Sequence, residues 1–199
     1  MPTGVPRALV VIAASTGGPT ALMEVVGSLP RDLRAAVLIA QHMPEKFTRT
    51  FAERMARRSA LRVREAEDGD PVGVGDVLVS PGMRCMEVMG PIDASSVRVV
   101  PPLPTDRFAP SADRLFRSAA QVWHRRVIGV VLTGMADDGT KGSQIIKAQG
   151  GRVISESADT AVVYGMPRAV AEAGLSDRVI ALPGVAAAIV EEVNRVAEG

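Results

Sequence analysis

Ala8-Leu9-Val10-Val11-Ile12-Ala13-Ala14-Ser15-Thr16-Gly17-Gly18-Pro19 reads as a strand, a tight turn and the start of a helix. Its apolar residues run without alternation, the mark of a strand buried on both faces of a parallel sheet. Pro19 suits a first helical turn, and Thr20 to Leu29 can continue it. The same pattern recurs at Ala35–Ala40, a second buried strand ended by Gln41-His42-Met43-Pro44. A helix then runs from Pro44 to about Arg58, with Phe47, Phe51 and Met55 on one face. It recurs again at Val127–Leu132, followed by the loop Thr133–Gly139 and a helix to Gln149 that Gly150-Gly151 stops. Further along, Arg152–Ser155 reads as a strand, Pro167–Ala173 as a short helix, Val179–Leu182 as a last strand and Val185–Ala197 as a closing helix. Alternating strands and helices predict a three-layer, doubly wound α/β fold on a mainly parallel sheet.

Residues 62–104 depart from this rhythm. Short strand candidates at Arg62–Arg64, Asp76–Val79, Cys85–Met89 and Val97–Val100 are punctuated by glycines and prolines. They predict one inserted sheet strand plus a small β-hairpin extension. Ser111 is positioned as the N-cap of a helix that runs to about Trp123.

Composition bounds the function. The chain has 199 residues, 47% hydrophobic and 23% charged, which excludes a disordered chain and predicts a single domain over 1–199. A net charge of +1 and 3% aromatic residues argue against a nucleic-acid partner. The lone cysteine, Cys85, excludes an internal disulfide framework and a cysteine-rich zinc site, and fits a reducing cytoplasmic setting. No apolar run approaches the ~18 residues that a membrane span needs, so no membrane insertion is expected. The run Ala8–Ala14 after Arg7 is at the lower limit for a leader peptide and reads better as a buried strand.

In sheets of this kind, functional groups gather at the carboxyl ends of the strands. Ser15-Thr16 follows the first strand, His42 the second, and Asp137-Asp138 the third long one. A hydroxyl, an imidazole and a carboxylate on one edge are the inventory of a serine hydrolase. Serine is a weak nucleophile until a base takes its proton, imidazole serves as base and then acid, and a carboxylate fixes the imidazole tautomer. Ser15 has small neighbours at Ala13 and Gly17, as a sharp strand-to-helix elbow requires. The plainer alternatives are a tight turn or anion-binding loop at Ser15, a hydrogen-bonded strand-end histidine at His42, and helix capping by Asp137 or Asp138. His124, beside Trp123, Arg125 and Arg126, reads as a solvated helix-end residue.

Three other patterns stand out. Met83, Met86 and Met89 read as ordinary packing rather than a soft-metal site, and no metal is expected. Gly139-Thr140-Lys141-Gly142 is too short to specify a phosphate site. Arg49, Arg54, Arg57, Arg58, Arg62 and Arg64 form a basic stretch, either a solvated helix face or a dock for an acidic partner.

Five segments in order resemble the catalytic domain of the chemotaxis receptor methylesterases, the CheB family. They are Ala14–Pro19, Gln41–Pro44 with Phe47-Thr48, Pro110–Phe116, Leu132–Gly139 and Val163–Pro167. The resemblance implies hydrolysis of methyl esters on glutamate side chains, with glutamine deamidation as a companion activity, and no cofactor. It places the nucleophile on Ser15 and the base on His42. It selects Asp138, directly before a glycine, over Asp137 as the acid, and sets Thr16 and Met135 beside the nucleophile, with the Met135 backbone N–H toward the oxyanion. It implies cytoplasmic helices of methyl-accepting chemoreceptors as partners. Ala13 and Ala136 stand where the family usually has glycine, and Met83-Arg84-Cys85 where it often has a histidine. The family's usual N-terminal receiver domain lies outside these residues, so the chain is expected to be an excised or stand-alone catalytic domain, with any receiver supplied elsewhere. The rival readings are a non-catalytic or paralogous signalling module of the same fold that docks receptors or partners, and a small-molecule esterase.

Overall fold

A computed structural model describes residues 4–198. The elements are β1 (Ala8–Ala14), α1 (Gly18–Gly27), β2 (Ala35–Gln41), α2 (Glu45–Ala56), β3 (Arg62–Glu65), β4 (Asp76–Val79), β5 (Cys85–Met89), β6 (Ser96–Val100), α3 (Ala112–Trp123), β7 (Val127–Val131), α4 (Thr140–Ala148), β8 (Arg152–Glu156), α5 (Met166–Glu172), β9 (Arg178–Ile180) and α6 (Leu182–Glu198). Seven strands form one sheet in the order β3-β4-β2-β1-β7-β8-β9, and β5 and β6 form a separate antiparallel hairpin. Every pairing within the seven-stranded sheet is parallel.

The unbroken apolar run of β1 has a direct cause. Val10 and Ile12 point into a core shared with Leu22 and Val25 of α1, Met55 of α2 and Ile189 of α6. Leu9 and Val11 point into a second core with Phe116 of α3, Ile146 of α4, Val170 of α5 and Met86 of the hairpin. A strand covered on both faces has no polar side, and each such side chain contributes ~1.5–3 kcal/mol on burial. Between β1 and β7 the order of strands reverses direction, which opens a crevice at their carboxyl ends.

The expected architecture is met, with four local corrections. Residues 62–79 supply two strands to the sheet, β3 and β4, rather than one. The last strand ends at Ile180, and α6 begins at Leu182 because Pro183 is accommodated in its first turn. Phe47 does not share the buried face of Phe51 and Met55 but is 61% exposed. It lies in the first turn of α2, where the buried residue is Thr48, whose hydroxyl donates to Glu45 O and accepts from Gly82 N. Met83 and Met89 are exposed and only Met86 packs in the core. Among the described residues no helix is long and apolar enough to cross a membrane.

Candidate active site

The register of the sheet brings the first two candidates together. Ala14 pairs with Gln41, so Ser15 and His42 leave adjacent strands side by side, and His42 N donates to Ala14 O at 3.0 Å. On the other flank, Leu132 N donates to Ala13 O and Ser15 N to Thr133 O, which lays the 132–139 loop against the serine. The turn after Ser15 leaves no room for side chains. Gly17 has φ of 81°, and a Cβ there would stand 2.7 Å from Val162 Cβ. A Cβ on Gly18 would collide with the Gln41 amide oxygen and stand 2.8 Å from Ala14 Cβ. Ser15 is therefore presented at a sharp strand-to-helix turn.

His42 Nε2 lies 2.7 Å from Asp138 Oδ2. A carboxylate can only accept, so Nε2 carries the proton and Nδ1 is left as the basic nitrogen. The ring stacks on Phe108 with centroids 4.8 Å apart and planes 8° from parallel. The Arg107 guanidinium lies over the Phe108 ring, 5.3 Å from its centroid. Among the described residues the Ser15 hydroxyl makes no hydrogen bond to His42; the direct contact expected of a closed triad is open here, as triads without substrate often are.

The two aspartates separate cleanly. Asp138 has a side chain 1% exposed, whereas Asp137 is 51% exposed and pairs with Arg107. Besides His42, Asp138 accepts from the backbone N–H groups of Ala112 (2.8 Å) and Asp113 (2.9 Å), the first residues of α3. The positive end of that helix suits a buried carboxylate. Asp113 returns the arrangement: its Oδ1 accepts from Gly139 N (3.0 Å) and Gly142 N (2.8 Å) at the start of α4. Each helix N-terminus is thus satisfied by a carboxylate that belongs to the other. Burial, aided by the charge of Asp138, pushes the Asp113 carboxyl above its ordinary value.

The Thr133 hydroxyl donates to Thr16 O at 2.9 Å, and Gly134, the residue before Met135, packs on the serine, since a Cβ there would stand 2.8 Å from Ser15 Cβ. Among the described residues neither the Thr16 nor the Met135 backbone N–H donates to a protein acceptor. Such free N–H groups beside a serine are suited to an oxyanion. His124 sits at the C-terminus of α3, exposed and bonded to Gln149, far from this chemistry.

The CheB methylesterase family model matches residues 10–189. The chain belongs to that family. Its fold superposes on the crystal structure of the Thermotoga maritima CheB methylesterase catalytic domain with a TM-score of 0.89 and 36% identity, covering 92% of this chain and 97% of that one. A protein-glutamate methylesterase/protein-glutamine glutaminase of Anaeromyxobacter dehalogenans is 48% identical over 190 residues, which is 94% of this chain and 54% of that protein. A protein of the same name from Methanosarcina barkeri is 42% identical over 192 residues, 94% of this chain and 53% of its own length. The chain spans about half the length of the curated relatives it matches.

Four residues of this CheB family domain escaped the sequence reading. Phe108 fixes the plane of His42. Gln41 donates from one amide nitrogen to both Ser15 O (3.0 Å) and His42 O (2.9 Å), clamping the two strand ends. Asp113 holds the acid loop from α3. Glu156, buried at the end of β8, accepts from Thr133 N (2.8 Å) and the Thr160 hydroxyl (3.0 Å), and burial pushes its carboxyl up. Gln41 carried one available signal: it is a polar residue that closes an otherwise apolar strand.

Proposed function

We propose that residues 1–199 act as a single methylesterase catalytic domain that hydrolyses methyl esters on glutamate side chains of chemoreceptors, and deamidates receptor glutamines. The observation that carries this reading is the 2.7 Å contact of His42 Nε2 with the buried Asp138, set at the strand end beside Ser15. Ser15 Oγ attacks the ester carbonyl as His42 Nδ1 takes its proton, and Asp138 stabilises the imidazolium. The oxyanion accepts from the N–H groups of Thr16 and Met135. Collapse of the intermediate breaks the C–OCH₃ bond, and the leaving oxygen takes the proton from His42 to depart as methanol. Water then attacks the acyl-serine with His42 again as base, releasing the glutamate carboxylate and restoring Ser15. With glutamine the leaving group is ammonia, by the same steps. No step calls for a cofactor.

The partners in this reading are cytoplasmic helices of methyl-accepting chemoreceptors, and the setting is the cytoplasm. Control by a receiver domain, in the same polypeptide or supplied separately, fits the greater length of the relatives. Incubation with receptor-bearing membranes carrying labelled methyl groups tests the reading. The wild-type chain releases labelled methanol and Ser15→Ala does not. Equal release by both, or none by either, defeats it.

A further inference from the structure

The six arginines of the basic stretch divide into two sets. Arg49 bonds Glu65 at 3.3 Å, Arg62 bonds Asp76 at 2.7 Å, and Arg64 pairs with Asp70. These three are neutralised along the β3 edge of the sheet. Arg54, Arg57 and Arg58 have no carboxylate partner among the described residues. Their spacing puts them on one side of the end of α2, where like charges crowd one another.

All three line the same groove, about 430 Å³ in volume, along the seam between α1 and α2. Its apolar lining comes from Met23 and Phe51, and no acidic residue borders it. The dipole of α2 favours cations in its last turn, but it explains neither the exclusion of carboxylates from the walls nor the apolar lining. The groove opens at Pro19 and Thr20, just beyond Ser15, and runs down the seam toward Arg58, whose carbonyl lies 3.5 Å from where a Cβ on Gly27 would be. α1 has ten residues and so is ~15 Å long, and the groove follows it from Pro19 and Thr20 toward Arg58.

We propose that this groove receives an acidic, amphipathic segment of the substrate polypeptide that flanks the reacting side chain. The three guanidinium groups take carboxylates of the flank in fork geometry, while its apolar side covers the partly exposed Met23. The position of the reacting residue rests on the hydrolase reading; the charge and the groove do not. Ser15 is not among the residues that line the groove, so the arginines select the polypeptide and leave the reaction to the serine.

Two dye-labelled peptides test the groove. They share one apolar pattern and a central γ-methyl glutamate, and differ in carrying Asp and Glu or Lys in the flank. Fluorescence anisotropy with Ser15→Ala protein measures binding, and initial rates with the wild type measure turnover. The acidic peptide is expected to bind about tenfold tighter at low salt, the scale of steered charged encounters. The difference closes at 1 M salt, where the Debye length is ~3 Å. Adding Arg54→Glu with Arg57→Glu inverts the preference toward the Lys peptide, and Arg54→Gln with Arg57→Gln removes it. A binding ratio unchanged by both pairs, or indifferent to salt, overturns the proposal. If the wild type cleaves neither peptide, the hydrolase reading falls while the binding ratio still decides the groove. If both are cleaved and bound alike, the hydrolase reading stands and the groove proposal falls.

Discussion

The Ser15 loop and the Asp138 loop meet at one sheet edge and are built by opposite means. Around Ser15 the chain is held by backbone register and by the lack of side chains at Gly17 and Gly18, one needing a left-handed φ and the other a Cβ-free approach to Gln41. Around Asp138 it is held by carboxylates exchanged between the starts of α3 and α4. The first loop cannot accept an added atom, and the second cannot accept a lost charge. Precision in a site can therefore come from steric exclusion within a few residues or from electrostatic reciprocity across 25 or more.

The severest way to break both halves is to remove the groups they deliver. Ser15→Ala or His42→Ala should lower kcat for methanol release by ~10³–10⁶, with the thermal unfolding curve little changed. A smaller but more telling loss comes from the acid loop. Asp138→Asn should cost ~10²–10⁴ in kcat, because the amide no longer fixes the His42 tautomer. Asp137→Asn, which removes only an exposed pair with Arg107, should cost less than about fivefold. Equal losses in kcat/KM at the two positions would dissolve the distinction between the buried and the exposed aspartate.

Stability sharpens the contrast between loops. Gly18→Ala forces a methyl group into Gln41 and should cost ~1–3 kcal/mol in denaturant unfolding. Gly139→Ala has ordinary contacts around the new Cβ, the nearest at 3.5 Å, and carries only the ~1–2 kcal/mol penalty of its left-handed φ. A larger loss at Gly139 than at Gly18 would mean that sterics do not govern the Ser15 turn. The smallest effect concerns Glu156, which braces Thr133 between the loops. Its carboxyl is raised by burial above its reference of 4.5, so at pH between the unfolded and folded values the folded chain binds the proton more tightly than the unfolded chain. Its contribution to stability is fully present below that reference and declines as pH rises through the folded value. The Tm of Glu156→Gln relative to wild type should accordingly climb with pH above 4.5; a flat difference would show that Glu156 titrates alike in both states.

The parts of the fold and site visible in the sequence were those encoded locally. The unbroken run of β1 announces burial on two faces, and the polar residues at three strand ends follow from counting along the chain. The resemblance to CheB separated Asp138 from Asp137; residue types alone left both open. Phe47 was misjudged because helical spacing gives a face but not how far the helix extends past the sheet that would cover it. Phe108, Asp113 and Glu156 stayed hidden because their partners are distant in sequence, and nothing at positions 108, 113 or 156 names His42, Gly139 or Thr133. The division of the arginines was likewise invisible, since it depends on which of them meet carboxylates in space.

The central place of β1 also sets when the site can exist during folding. Its neighbours β2 and β7 are joined to it in parallel, so each pairing waits for a crossover, and the His42–Asp138 contact closes over 96 residues. Contacts of such span carry a large loop-closure cost and form slowly. A nascent or refolding chain can complete the α1–β2 unit early, yet it holds Ser15 beside a histidine with no carboxylate behind it until β7, α3 and α4 have docked. Ser15, His42 and Asp138 are thus brought together only once the chain through α4 has committed to its native topology.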